Sequence, residues 1–218
     1  VKMEMSPYDV FAVETALRHK EASGGSVTAI TVGGAGSEKI LKDAKAMGVD
    51  NIVRVWDDSW GELDSNGLQS VLKQAIEALG VDVVYCGKSA ADTGAGSTGP
   101  GLAERLGWSN ASNIIGADFG DAVIVSMPVE AGVAKISVPL PAVISCDKGD
   151  VKPRTANVKG IMMAKKAQVE LMTATAPSST VAIANHSMPA AKPAGKTFEG
   201  GSSASQVVQL LRDEANVI

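Results

Sequence analysis

Aromatic side chains are scarce in this chain: Phe, Tyr and Trp make up 4% of its 218 residues, so Val, Ala, Ile and Leu must fill most of any core. The total hydrophobic content of 45% is enough for one domain of fair size plus extensions. Cysteine is scarcer still. Cys86 and Cys146 both lie in apolar runs, which excludes a disulfide framework and points to reduced core residues of an intracellular protein. Basic charge is not in excess either. The net charge of −4 and the lack of a Lys/Arg stripe argue against nucleic acid as the main partner. No apolar run is long enough to span a bilayer, and no signal peptide is recognised. The chain also lacks an initiator Met: Val1-Lys2-Met3-Glu4-Met5 leads straight into a helix, so an earlier segment is expected to be missing. Ser-His-Asp, Cys-His and zinc-ligand spacings are all lacking. His19, on a polar helix face, and His186 read as solvated rather than catalytic.

What is present is strand–helix alternation. Ser6-Pro7-Tyr8-Asp9 opens a helix with a capping Ser, a Pro at the first position and an acid in the first turn; Gly24-Gly25 ends it. Residues 26–32 form a strand that ends at Val32-Gly33. A helix carrying Ile40, Leu41, Ala44 and Met47 follows, then a strand over 51–56. Leu68, Val71, Leu72, Ala75, Ile76 and Leu79 make the clearest amphipathic helix in the chain. Such alternation means βαβ units, a mostly parallel doubly wound sheet and right-handed crossovers, an α/β fold. After Trp108 the runs 113–119, 122–127, 133–138 and 142–146 have little helix between them and read as an antiparallel meander added to that sheet. Residues 147–164 carry turn residues and charge without periodicity.

The central stretch is Asp82-Val83-Val84-Tyr85-Cys86-Gly87-Lys88-Ser89, then Ala90-Ala91-Asp92-Thr93-Gly94-Ala95-Gly96-Ser97-Thr98-Gly99-Pro100. It reads as strand, Gly-rich loop and helix N-terminus. In an open parallel sheet, ligands sit beyond the carboxyl ends of the strands, and N–H groups of a Gly-rich turn and a first helical turn favour phosphate. Gly94, Gly96 and Gly99 permit close backbone approach. The Ser97 and Thr98 hydroxyls suit either a phosphate oxygen or a helix cap. Asp92 suits a ribose hydroxyl or the loop's own N–H groups. Val32 and Gly33, ending a neighbouring strand, are expected to border the nucleoside. The same residues also suit a βα connection that merely caps itself.

The end of the chain is different in kind. Residues 173–202 are rich in Ala, Ser, Pro and Gly and cannot bury much of themselves. A helix over 203–216, with Val207, Val208, Leu210 and Leu211 apolar, closes the chain. The expected organisation is a nucleotide-binding α/β domain over residues 1–166 and a long C-terminal arm ending in a helix over 167–218. Such an arm fits either a partner that it embraces or a segment that docks back on its own domain.

Several motifs together resemble the electron transfer flavoprotein (ETF) beta-subunit family. Gly87-Lys88-Ser89-Ala90-Ala91-Asp92 with Ser97-Thr98-Gly99-Pro100 and Leu102-Ala103-Glu104-Arg105-Leu106-Gly107-Trp108 is similar to its AMP-binding loop. Ala46-Met47-Gly48-Val49-Asp50, Leu140-Pro141-Ala142-Val143-Ile144-Ser145 and Lys152-Pro153-Arg154 followed by Gly160-Ile161-Met162 and Ala164-Lys165-Lys166 follow its order. Arg54-Val55-Trp56-Asp57-Asp58 is nearest the branch serving bacterial amine dehydrogenases. Ser97 stands where the family usually has Gln, Gly96 and Ser6 where it has Asn, and Thr155 where it has Tyr. The family's first strand is absent from these residues.

The resemblance implies a heterodimer with an ETF alpha subunit, with FAD held mostly on alpha and AMP buried in this chain. Electrons would pass from a flavin dehydrogenase to a quinone oxidoreductase or another acceptor. The chain would be an electron carrier without bond chemistry of its own, in the cytoplasm or, in a eukaryote, the mitochondrial matrix. Val32, Gly33, Asp92, Gly96, Ser97, Thr98, Gly99 and Ser6 would form the cofactor-binding set, with no metal. Val158, with Arg154, Asn157 and Lys159, would dock the dehydrogenase from a loop over 153–160. The alternatives are a self-standing stress-protein-like domain that binds adenine nucleotide and, with less support because Asp92-Thr93-Gly94-Ala95 departs from the pattern, a bifurcating ETF with a second FAD.

Overall fold

The computed structural model describes residues 3–149, 151–192 and 194–218. It divides into two compact units, residues 1–182 and 183–218. In the first, helix α1 (Pro7–Ser23) is followed by β1 (Thr28–Val32), α2 (Glu38–Met47), β2 (Asn51–Val55), α3 (Ser65–Leu79), β3 (Val83–Gly87) and α4 (Thr98–Leu106). Then come β4 (Ser109–Ile114), β5 (Gly116–Phe119), β6 (Val123–Val129), β7 (Gly132–Val138), β8 (Ala142–Cys146), α5 (Val158–Lys166) and β9 (Glu170–Met172). The second unit holds α6 (Ala204–Asp213), and none of its described residues is buried.

The α/β class and its parallel sheet are present, but the sheet is in two halves. One has the order β1-β2-β9 and the other β3-β8-β4, all parallel within each half. The meander is shorter than expected. Among the described residues only β5, β6 and β7 are antiparallel, and they form a third sheet of their own. Residues 142–146 lie instead between β3 and β4, parallel to both. Ala142, Val143, Ile144, Ser145 and Cys146 are all buried, the continuous apolar run of a strand covered on both faces. Asn113 marks the junction of β4 with β5. It adopts φ +58° at a register shift, and its N–H donates to the buried Ser145 Oγ at 3.0 Å; Asn takes the left-handed region more readily than most side chains.

Two helices tie the halves together. On one face α1 contributes Ala12 to a core with β8, β4 and the antiparallel sheet, and Leu17 to a core with α2 and Ile52. On the other face α3 contributes Val71 and Ala75 beside Val53 and Val55, and Ile76 beside Leu102 and Val143. Between the halves runs a cleft of about 1030 Å³, lined by β1, by β3 and by the inner faces of α1 and α3. Among the described residues β1 pairs only with β2, and β3 only with β8, so both strands present unpaired edges to it. Every residue of β1 and β3 is consequently only half-buried.

Two expectations change here. His19 is not on a solvated face: its Nδ1 lies 3.0 Å from the Tyr85 hydroxyl and its ring stacks on Phe119 at 4.5 Å. Burial lowers its pKa. The segment from 158 onward is helix α5, capped by Asn157, whose side chain accepts the Gly160 N–H at 2.7 Å. Gly160 is a packing position rather than a bend: a Cβ there would sit 2.5 Å from the Ala46 carbonyl oxygen of α2.

The first unit continues past residue 166. Strand β9 joins β2, and Ala174 and Ala176 pack against the core under α3. Gln74 of α3 accepts the Thr175 N–H at 3.0 Å and donates to its carbonyl at 2.8 Å.

Candidate functional site

The direction of the two half-sheets follows from the helices that cross them. The N-terminus of α1 lies at the carboxyl end of β3, where Ser6 Oγ donates to the Ser89 carbonyl at 3.1 Å. Its C-terminal turn lies at the start of β2, where Lys20 Nζ meets Asp50 at 2.6 Å. The first turn of α3, just beyond β2, touches the loop that follows β3: Ser65 Oγ is 3.5 Å from Ser97 Oγ. The carboxyl ends of β2 and β3 therefore share one edge, the edge where a doubly wound sheet places its ligands.

The loop at that edge is held at both ends and open between. At its base Asp9 Oδ1 accepts the Gly87 N–H at 2.7 Å. A Cβ on Gly87 would lie 2.8 Å from Asp9 N and 2.9 Å from Tyr8 Cβ, so α1 can approach β3 this closely only over a glycine. Burial raises the Asp9 pKa, against the lowering effect of the Gly87 bond. Lys88 pairs with Asp147 at 2.8 Å and lies 4.7 Å above the Tyr8 ring. At the far end the Ser97 carbonyl accepts both the Gly101 N–H and Gln69 Nε2, each at 3.0 Å. Between these points Asp92 is exposed and its carboxylate accepts the Thr93 N–H at 2.7 Å. Gly96 sits at φ +62°, and a Cβ there would be 3.3 Å from the Lys88 carbonyl.

Ser97 precedes α4, but its side chain makes no capping bond. The first-turn donors of α4 and the hydroxyls of Ser97 and Thr98 are thus not used up by a self-cap, and this donor set suits a phosphate. Gly99 is buried, and its lack of a Cβ serves packing, since one would lie 3.0 Å from Cys86 Sγ. Ser6, Gly96, Ser97, Thr98 and Asp92 are brought to one loop system. Val32 and Gly33 end β1, on the other side of the cleft, where the Gly33 N–H donates to the Val55 carbonyl at 3.1 Å.

Gln69 escapes a reading of motifs, and the contacts by which Asp9 and Arg105 shape the loop are not visible in the motifs that contain them. Gln69 is 8% exposed, and its Oε1 accepts from Arg105 Nε at 3.1 Å while its amide holds Ser97. The available signal was a polar side chain three residues before Leu72, on the helix stripe that runs on to Ile76.

The second predicted cluster begins with Arg154. Its Nε meets Glu14 Oε2 at 2.8 Å and its Nη1 meets Glu21 Oε1 at 2.6 Å, and its backbone N–H donates to Glu14 at 3.0 Å. This fork clamps the segment before α5 onto α1. Val158 is 76% exposed in the first turn of α5, with Ile161, Met162 and Met163 also exposed; Lys159 is solvated beside them. Among the described residues no helix is long and apolar enough to cross a membrane, and no group of His, Cys, Asp and Glu is arranged to hold a metal.

Residues 1–177 match the family model described as the electron transfer flavoprotein domain. The chain is 34% identical to the electron transfer flavoprotein subunit beta of Bacillus subtilis (strain 168), over 98% of this chain and 88% of that protein. It is 33% identical to the protein of the same name in Dictyostelium discoideum, over 79% of this chain and 69% of that protein. It is also 35% identical to the acryloyl-CoA reductase electron transfer subunit gamma of Anaerotignum propionicum, over 72% of this chain and 61% of that protein. With the α/β fold and the open loop at the ligand edge of its sheet, the chain belongs to the electron transfer flavoprotein family, on its beta-subunit side, and its role is electron transfer.

Proposed function

We propose that this chain pairs with an ETF alpha subunit, binds AMP on the loop between β3 and α4, and supplies one wall of a site where alpha holds FAD. It carries electrons from a flavin dehydrogenase to a quinone oxidoreductase or a similar acceptor and makes or breaks no bonds itself. The observation that carries the reading is the Ser97–Gly99 turn: its hydroxyls leave α4 uncapped at the shared carboxyl edge of the sheet. The AMP phosphate lies against Gly96, Ser97, Thr98 and Gly99, Asp92 and Ser6 close the loop, and Val32 and Gly33 border the adenosine. Co-expression with alpha followed by nucleotide analysis of the denatured complex tests this. AMP and FAD in equal amounts are expected. A colourless homodimer, or FAD at two equivalents without AMP, overturns it. Thr98→Ala removes one phosphate bond, costing about 1–3 kcal/mol of AMP binding.

The dehydrogenase docks on the exposed face of α5. Val158 is the apolar contact and Lys159 lies beside it, while Arg154 and Asn157 hold the helix start in place. A buried Val contributes about 1.5–3 kcal/mol, and a carboxylate in its place faces an apolar pocket unpaired. Val158→Glu should raise the half-saturation for dehydrogenase with flavin content unchanged. An unchanged half-saturation removes α5 from the interface.

A further inference from the structure

We propose that the first turn of α3 couples the root of the C-terminal arm to the Gly-rich loop, so that order in one supports order in the other. The turn is gripped from two sides. Asp64 Oδ1 accepts the Gly67 N–H at 2.7 Å, the N-cap bond of α3. Its other oxygen, Oδ2, accepts the Thr180 N–H at 2.6 Å, the Thr180 hydroxyl at 2.9 Å and the Val181 N–H at 3.1 Å. Ser179 Oγ adds a bond to the Glu62 carbonyl at 3.0 Å. One carboxylate thus caps a helix and clasps the arm with separate atoms.

The first two turns of the same helix face the loop. Ser65 approaches Ser97, Asn66 accepts from Arg105, and Gln69 bridges the Ser97 carbonyl to Arg105. The fit there is close: a Cβ on Gly101 would lie 2.4 Å from Gln69 Nε2, so the glycine lets α4 rest on the amide. Opening the clasp frees the Asp64 side chain, loosens the cap and lets the first turn fray, which removes partners from Ser97. The reverse path runs through the same atoms, as linkage requires. Spatial intermediacy alone is no warrant for coupling; here the warrant is the single side chain that closes both contacts. The further consequence, that nucleotide on the loop tightens the arm root, rests on the AMP reading above.

Asp64→Asn opens the clasp without deleting the capping acceptor. Asn is a capping residue like Asp, but its amide group turns donors toward the N–H groups of Thr180 and Val181, so the side chain loses the anchor that holds it in the capping position and the cap loosens with it. Amide hydrogen exchange on the full chain, read by mass spectrometry, is the measurement. Exchange should rise severalfold at residues 174–182 and also at 96–101, with β2 and β8 unchanged. Thr180→Val, which removes one donor, should give a smaller change of the same sign at both places. A freed arm with an unaltered loop refutes the coupling, and an unaltered arm refutes the clasp. Added AMP should slow exchange of the wild type at both segments; slowing at 96–101 alone also refutes the coupling. If AMP does not bind the wild type, the nucleotide reading falls, and the Asp64→Asn result still decides the coupling.

Discussion

Arg154→Met tests how the start of α5 is held. The Glu14 carboxylate is 9% exposed and receives three bonds from Arg154, through Nε, Nη2 and the backbone N–H. Burial raises the Glu14 pKa, and the Arg154 bonds more than offset this, so the group lies below its ordinary value of 4.5. Methionine keeps the stem of the side chain and the backbone bond but leaves the carboxylate short of its counter-charge. Breaking a fully buried pair costs about 3–5 kcal/mol, whereas an exposed pair is worth about 0–1 kcal/mol. Arg154 is 32% exposed, which places the loss between these at about 2 kcal/mol. For a domain of this size that lowers Tm by about 4–8 °C at neutral pH.

The pH dependence has a definite sign. A depressed carboxylate pKa contributes stability above its unfolded value, and that contribution is lost as pH falls through the lower folded value. The wild type should therefore lose its advantage over Arg154→Met as the solution is acidified through 4.5 and below. Glu14→Gln placed in the Arg154→Met background should recover part of the loss at neutral pH, because it removes the uncompensated charge. Thermal melts of the three proteins across pH suffice. Equal melting temperatures for wild type and Arg154→Met at neutral pH would refute the clamp, and a gap that widened in acid would refute its electrostatic origin.

Gly87→Ala should be poorly tolerated, since the added methyl meets backbone of α1 rather than a flexible side chain; overpacking of this kind costs about 1–3 kcal/mol, measurable by urea unfolding. Burial pushes the Cys86 thiol up to about 12, with Cys146 and Asp9 adding to the rise. Cys146 is likewise pushed up to about 12 by burial, despite a lowering contact with Thr15. Both thiols should stay unmodified by a neutral-pH thiol reagent until the protein is denatured, and rapid labelling of the folded chain would contradict their placement.

The order of elements through α4 was legible because each carries a local signal: the Leu68–Leu79 stripe, the Ser6-Pro7 cap, the Gly-rich loop. The direction of the strand over 142–146 was not. The run 142–146 is apolar throughout, and such a run says that both faces are covered without saying which neighbours cover them. Helix α5 escaped detection because its outward face carries Val158, Ile161, Met162 and Met163, so no polar side sets off an apolar one; only the Asn157 cap and the closing lysines marked it. His19 looked solvated from its neighbours in sequence, whereas its partners Tyr85 and Phe119 come from distant strands. At the site, glycine spacing located the loop, but Asp9 and Gln69 act through contacts that only the fold creates.

The cleft between β1 and β3 leaves two strand edges facing each other, and among the described residues neither has a hydrogen-bonded neighbour on that side. Unpaired N–H and C=O groups along a strand are a template for another strand. A strand laid in the cleft would join the two half-sheets through backbone hydrogen bonds, beside the packing that Leu17, Val71 and Ile76 already provide from α1 and α3.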